Sequence, residues 1–232
     1  MAGPQAVEIP ASKQLRRKIR LLLPRLVAAS DRLRTHERAR ELYPEYLFTS
    51  HCIIRASVPL MEAGRDRAAA LAPSDGVAAA LAPYLEEHIP EELDHDDWLL
   101  NDLEVLGRAR EEVVARPPSP TVAAVVGAQY YWILHYQPVA ILGYIAVLEG
   151  YPPSAELIDD LIARTGYERD AFRTLIAHAE LDPGHRDELD TVIDELPLSA
   201  EQRTVVGLSA MSTVDFLARA LDEIVAEAGQ AA

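Results

Sequence analysis

The hydrophobic and polar positions of this chain follow the period of an α-helix over nearly its whole length. Ala, Leu, Glu and Arg dominate, and few segments show the two-residue alternation of a half-buried strand. Segments containing proline and glycine separate the periodic stretches. Helices are therefore predicted at about 12–40, 44–72, 77–115, 121–149, 155–165, 168–195 and 200–227.

This pattern predicts an all-α protein: a single-domain bundle of about seven helices, with a core wide enough to hold a cofactor. The helical domain is expected at residues 12–228, after a flexible N-terminus at 1–11, and no internal linker favours a second domain. Pro24 and Pro138 are expected to kink their helices, and Pro183 is expected to interrupt the sixth.

Charge is distributed unevenly along the chain, which carries a formal net charge of −15. We do not expect so acidic a chain to bind nucleic acid, which requires a clustered positive surface. Residues 13–40 differ from the rest, because they hold ten of the 22 Lys and Arg residues and only Asp31 and Glu37 as acids. We expect this basic segment to dock on the acidic remainder of the chain, with a membrane surface or an anionic ligand as the alternative.

Three features bear on location and assembly. The single cysteine, Cys52, excludes an internal disulfide and fits a reducing compartment. No apolar run reaches the ~20 residues of a membrane span, and residues 1–11 lack the charged-then-apolar pattern of a secretion signal. We therefore expect a cytoplasmic protein without a membrane span, and the sequence leaves open whether it is a monomer or a homodimer.

Four of the seven histidines fall into two copies of one spacing pattern. The copies are His88-x3-Glu92-x2-His95 and His178-x3-Asp182-x2-His185. Positions i, i+4 and i+7 of a helix share a face, so each copy is expected to present its three side chains as one stripe. Two facing stripes would supply the nitrogen and oxygen ligands that suit iron or manganese, and bridging carboxylates favour two ions. The alternative is surface ion pairing, which is common for one such pattern and less so for two in a histidine-poor chain.

Weaker candidates lie on two other predicted helices. Arg55 and Glu62 share a face of the second helix, where Glu62 is either a further ligand or a solvent-facing residue near the helix end. Arg55 could pair with Glu62 or anchor a substrate carboxylate. The aromatic segment that contains Tyr131 and Tyr144 is expected to pack against the site, with a minority of its rings facing a substrate pocket.

Three stretches of the chain carry a resemblance to a known family. They are His88-Ile89-Pro90-Glu91-Glu92-Leu93-Asp94-His95 with residues 97–107 after it, Pro138-Val139-Ala140-Ile141-Leu142-Gly143-Tyr144 with Leu148-Glu149-Gly150, and His178-x3-Asp182-x2-His185. These stretches resemble the heme-oxygenase-like diiron oxidases and oxygenases, iron-containing redox enzymes related to the TenA/PqqC-like helical fold. The resemblance covers residues 46–224, and the last stretch is its most specific part.

The resemblance implies a ligand set for two ferrous ions. It assigns the late trio to His178, Asp182 and His185, the middle histidine to His95, the middle carboxylate to Glu92 with Glu91 as its rival, and the early carboxylate to Glu62. His88 stands where some relatives carry a carboxylate, so it is expected as an added ligand or beside the ligands. Pro90 and Pro183 interrupt the two ligand segments, and a residue before proline is pushed away from helical geometry.

The implied function is that of a non-heme diiron oxidase or oxygenase, with O2 as cosubstrate and a small-molecule substrate such as an amine, an amino acid or a fatty acid, in specialised metabolism. Arg55, Tyr131 and Tyr144 are expected to orient ligands or to bind substrate. One alternative is a metal-free TenA/PqqC-like enzyme, against which the doubled histidine pattern argues. The other is a non-catalytic bundle that binds metal or another ligand, since a fold alone does not decide function.

Overall fold

The computed structural model describes residues 9–230, most of which are helical. Within this range eleven α-helices follow one another: α1 (Ala11–Arg34), α2 (Ala39–Ile54), α3 (Ser57–Leu71), α4 (Gly76–Glu92), α5 (His95–Val105), α6 (Arg110–Ala115), α7 (Pro120–His135), α8 (Ile141–Leu148), α9 (Ala155–Thr165), α10 (Arg173–Glu195) and α11 (Ala200–Gln230). No strand occurs in the described part of the chain. The predicted all-α bundle is confirmed, with some of the seven predicted helices divided into shorter ones. Of the N-terminus predicted as flexible, residues 1–8 lie outside the described residues.

Prolines interrupt the helices less often than the sequence predicts. The second helix begins at Ala39 rather than after Pro44, which lies inside it. Helix α10 continues through Pro183 over 23 residues, so the predicted interruption there is wrong. Proline removes one backbone hydrogen bond from a helix, but Asp182 and Leu189 are buried on either side of it, and tertiary packing overrides a local preference of this size.

The basic helix α1 lies along α11 in the same direction. Its ion pairs to distant residues are Arg16–Asp190, Arg25–Asp215, Arg32–Asp222 and Arg34–Asp160. The acidic partners belong to α9, α10 and α11, so the predicted docking of a basic segment on an acidic body is confirmed. Exposed pairs of this kind contribute about 0–1 kcal/mol each, and only Arg16, at 5% exposure, is buried.

Helix α11 has the length and composition of a membrane span over residues 200–229, although half of its most apolar stretch is buried inside the bundle. Ala210, Val214 and Ala218 are fully buried. A helix that packs against several others is apolar over much of its surface. Packing inside the bundle therefore accounts for the buried half of this apolar stretch.

Helix α8 crosses the middle of the bundle, and residues 141–147 are all buried. It follows a 3-10 turn at Pro138, so the chain breaks where a kink was predicted. A Cβ added to Gly143 would lie 2.2 Å from the carbonyl oxygen of Val206 and 2.7 Å from the backbone nitrogen of Ala210, both in α11. The backbones of α8 and α11 therefore touch, and only glycine fits at this position.

Replacing Gly143 by Ala should destabilise the fold, because the added methyl group meets backbone atoms that cannot turn aside. Overpacking a core costs about 1–3 kcal/mol, and a backbone clash places this variant at the upper end. Thermal unfolding would measure the loss. Gly127→Ala in α7 is the matched control, since a Cβ there meets nothing within 4 Å. An unchanged melting temperature for Gly143→Ala would contradict the close contact of α8 with α11.

Candidate metal centre

The first histidine pattern is divided between two helices. Helix α4 ends at Glu92 and α5 begins at His95, while Leu93 is extended and Asp94 adopts a left-handed φ of 67°. Asp tolerates this region better than most residues. The prediction that His88, Glu92 and His95 form a stripe on one helix is therefore wrong. The turn instead brings Nδ1 of His95 to 3.1 Å from Oε2 of Glu92.

The second histidine pattern lies on a single helix, as predicted. His178, Asp182 and His185 occupy successive turns of α10, and Asp182 is 3% exposed. The imidazole rings of the two patterns meet across the bundle. The ring centres of His95 and His178 are 5.1 Å apart, and those of His88 and His185 are 5.4 Å apart. The two patterns therefore face each other.

Glu92 lies at the centre of this cluster. One of its oxygens contacts His95, and the other, Oε1, lies 3.6 Å from Nδ1 of His185. His88, Glu92 and Glu149 each offer an atom within 4.8 Å of the other two. The side chains that could bind metal thus form two groups that share Glu92: His88, Glu149 and His185 in one, and His95 and His178 in the other. These six residues and Asp182 are called the donor cluster, and their side chains the donors.

Glu149 is a member of the cluster that the sequence-based prediction missed. It follows α8 directly, is 7% exposed, and places Oε1 3.1 Å from Nε2 of His88 and Oε2 3.8 Å from Nδ1 of His185. The sequence does contain a signal for it, because Glu149 is the only acidic residue between positions 121 and 150. A single carboxylate at the end of so apolar a stretch is costly to bury without a partner.

Two distances within the cluster fit metal coordination. Two atoms that each bind one ion at about 2.1 Å are about 3.0–3.4 Å apart, and the contacts of Glu149 with His88 and of Glu92 with His95 are 3.1 Å. Three further buried atoms have no hydrogen-bond partner among the described residues: Oε2 of Glu149, Oδ1 of Asp182 and Nδ1 of His185. Such atoms are rare in folded proteins, and each of them is of a kind that binds metal ions. The mixed nitrogen and oxygen set suits iron or manganese.

Burial and mutual contact alter the protonation of the cluster. Burial by itself would lower the pKa of His88, but the nearby carboxylates of Glu149, Glu92 and Glu91 outweigh it and raise that pKa to about 9. Burial, with the charges of Glu149 and Glu92, raises the pKa of Asp182 to about 8. His88 is therefore mostly charged and Asp182 mostly neutral at neutral pH in the metal-free protein, which lowers the negative charge of the cluster.

Groups outside the cluster hold two of the histidines in place. The indole of Trp98 packs against His95 with ring centres 4.0 Å apart and meets the ring of His178 edge-on at 5.9 Å. The Nδ1–H of His178 donates to the carbonyl oxygen of Thr174 at 2.8 Å. This hydrogen bond fixes the tautomer of His178 and leaves Nε2 to accept a metal ion.

A small cavity of about 30 Å³ adjoins the donors. It is lined by Ile54, Ser57, Met61, Glu92, Tyr144, Ile145, Leu148, Glu149 and His178. The hydroxyl oxygens of Ser57 and Tyr144 are 3.0 Å apart. A larger cleft of about 540 Å³ between α2 and α11 contains none of the donors. Of these two cavities, the small one borders the cluster.

Three of the predicted site residues lie away from the cluster. Glu62 is exposed on α3, because its neighbour Met61 faces the cavity and the next position around the helix faces solvent. Tyr131 is 61% exposed on α7, and Arg55 is half-buried at the end of α2. Neither of them lines the small cavity, whereas Tyr144 does.

The fold and the site define a helical bundle with a buried histidine–carboxylate centre. Comparison with protein families agrees with this class, because the model of the iron-containing redox enzyme family matches residues 68–217, more than half of the chain. The chain belongs to the iron-containing redox enzyme family. No curated protein matches it.

Two solved structures have the same fold. One is a domain of unknown function with a heme oxygenase-like fold from Shewanella denitrificans, 18% identical, with a TM-score of 0.79 over 96% of this chain and 95% of that one. The other is a TenA homolog from Pseudomonas syringae pv. tomato, 14% identical, with a TM-score of 0.71 over 97% of each chain. At such identities the likeness shows the fold alone, and it confirms the predicted heme-oxygenase-like bundle.

Proposed function

We propose that this protein is a non-heme diiron oxidase or oxygenase that uses O2 to oxidise a small metabolite. The observation that carries the proposal is the position of Glu92 between two groups of buried donors. Helical bundles hold a pair of iron ions with carboxylates and histidines that project inward from facing helices. Membership of an iron-containing family supports iron as the metal.

In this proposal each of the two groups of donors binds one iron ion. His88, Glu149 and His185 would hold one ion and His95 and His178 the other, with Glu92 in reach of both groups and Asp182 as a further carboxylate. Bound ferrous iron would supply the electrons that reduce dioxygen, which protein side chains cannot provide. The protein itself fixes the donors and limits the access of water, since five of these seven residues are less than 9% exposed.

The cavity beside Glu92 and His178 is the proposed place for the reactants. Its volume of about 30 Å³ accommodates a molecule about as small as one or two waters, which is the size of dioxygen. The hydroxyl pair of Ser57 and Tyr144 offers a hydrogen bond there, and the aliphatic lining favours the apolar part of a substrate. An amine, amino acid or fatty acid, the classes that the family resemblance implies, would enter by displacing lining side chains.

Anaerobic titration of the metal-free protein with Fe2+, followed by rapid mixing with O2 under stopped-flow absorbance, tests this proposal. We expect two equivalents of Fe2+ to bind and a transient visible absorption to follow exposure to O2. Binding of one equivalent, or none, would contradict the dinuclear site and favour a metal-free TenA/PqqC-like enzyme. Two bound equivalents without any reaction with O2 would favour a metal-binding protein without catalysis.

Replacing Tyr144 by Phe should slow the reaction with O2 about 10- to 100-fold, with two Fe2+ still bound. Phenylalanine keeps the buried ring but removes the hydroxyl that faces the cavity. Burial raises the pKa of Tyr144, so this hydroxyl is protonated and able to donate. Stopped-flow absorbance measures the rate, and Tyr131→Phe, at an exposed tyrosine, is the control. Equal rates for Tyr144→Phe and the wild type would remove Tyr144 from the reaction.

A further inference from the structure

Asp102, on α5, is a fully buried carboxylate outside the donor cluster. Its exposure is 0%, and its Oδ2 accepts the backbone N–H of Thr174 at 3.0 Å. Burying a carboxylate is costly unless it forms strong hydrogen bonds, so its position calls for a role. Asp102 lies seven residues after His95, which places both side chains on the same face of α5.

The N–H group that donates a hydrogen bond to Asp102 belongs to the first turn of α10. This helix begins at Arg173, and the residue before it, Phe172, provides no side-chain cap. The first N–H groups of a helix have no partner inside the helix. Asp102 therefore caps α10 from a neighbouring helix. Burial raises the pKa of its carboxyl group, and the hydrogen bond to Thr174 at the positive end of the helix dipole opposes that rise.

Thr174 connects this cap to one of the donors. Its N–H is held by Asp102, and its carbonyl oxygen accepts the Nδ1–H of His178. Thr174 is 4% exposed, so water does not compete for these hydrogen bonds. His178 in turn lines the cavity beside Glu92. A continuous set of hydrogen bonds therefore runs from Asp102 through Thr174 to His178 in the cluster.

We propose that Asp102 is a positioning residue of the metal centre, which fixes the first turn of α10 and, through Thr174, the orientation and tautomer of His178. Because α5 carries both Asp102 and His95, the same contact sets the spacing of two facing donors, His95 and His178. This inference rests on the proposed function in that it takes these two histidines as metal ligands. It adds Asp102, which neither lines the cavity nor belongs to the donor cluster.

Binding of Co2+ to the full-length protein tests this inference without any need for O2 or substrate. Asp102→Ala should weaken Co2+ affinity about 10- to 100-fold and change the visible spectrum of bound Co2+, because His178 is no longer held in place. Asp102→Asn keeps an oxygen that can accept from Thr174, so it should restore most of the affinity and the wild-type spectrum. A purely structural role would not change the spectrum of the metal.

The matched control is Ser154→Ala. Ser154 caps α9 by accepting the N–H of Leu157 at 3.3 Å, and α9 carries none of the donors. This variant should lose stability, typically about 1 kcal/mol for a lost cap, while its Co2+ affinity and spectrum stay those of the wild type. If Asp102→Ala does not fold, Asp102→Ser, whose side chain is too short to reach Thr174, replaces it with the same expectation.

Two results would overturn the inference. Wild-type Co2+ affinity and spectrum in the Ala or Ser variant of Asp102 would show that the cap does not act on His178, and would leave the proposed function untouched. A wild-type protein that binds no Co2+ would overturn the proposed function and this inference together.

Discussion

Replacing Glu149 by Gln should abolish the binding of one Fe2+ ion and, with it, the reaction with O2. Glu149 contacts His88 and lies near His185, and one of its oxygens is buried without a hydrogen-bond partner in the described structure. An amide carries no negative charge, and its NH2 group does not bind metal. Changing a group that merely supports a ligand costs about 10- to 100-fold in affinity, and the loss of a ligand should cost more. We therefore expect the stoichiometry of Fe2+ to fall from two to one.

Anaerobic titration with Fe2+ measures this stoichiometry, and Glu62→Gln is the matched control. The substitution is the same, but Glu62 is exposed on α3, although the family resemblance assigns it as the early ligand. Glu62→Gln should bind two ions and react with O2 like the wild type. The opposite pair of results, a loss in Glu62→Gln and none in Glu149→Gln, would contradict the donor cluster described above.

The two histidine patterns show how far local spacing predicts a cluster. His178, Asp182 and His185 could be recognised because α10 is continuous, so that spacing in sequence becomes position on one face. Glu92 and His95 were also predicted to lie together, but on one face of a continuous helix. The chain is not continuously helical there. The left-handed turn at Asp94 brings them together instead, and the sequence pattern alone does not distinguish such a turn from a continuing helix.

Glu149 and Asp102 could not be predicted in the same way, because their partners are distant in sequence. The contact of Glu149 with His88 requires α8 to end beside α4, and the contact of Asp102 with Thr174 requires α5 to meet the start of α10. Such packing depends on close approaches like that of Gly143 to α11. Helical periodicity predicts the fold class, since it depends only on neighbouring positions, but not which helix ends meet.

Affinity for Co2+ should rise steeply with pH from about 6 to about 9. The pKa values of His88 and Asp182 in the metal-free protein are about 9 and about 8, so both groups are protonated at neutral pH. A cation must displace both protons before these atoms can bind it. The association constant should therefore rise about 100-fold per pH unit below pH 8 and about tenfold per unit between 8 and 9. Calorimetric titration in buffers of different protonation enthalpy would count the protons released.

The same two groups should make the metal-free protein less stable as the pH rises. Each folded-state pKa lies above its ordinary value of 6.5 for His88 or 3.8 for Asp182, so the proton stabilises the fold. Each contribution is complete below the ordinary value and is lost as the pH rises through the folded-state pKa. The rise in melting temperature that Co2+ causes should therefore become larger between about pH 5 and 9. His135→Gln, at an exposed histidine outside the cluster, should leave both trends unchanged. A Co2+ affinity independent of pH would contradict the close packing of Glu92 and Glu149 around His88 and Asp182, which raises both pKa values.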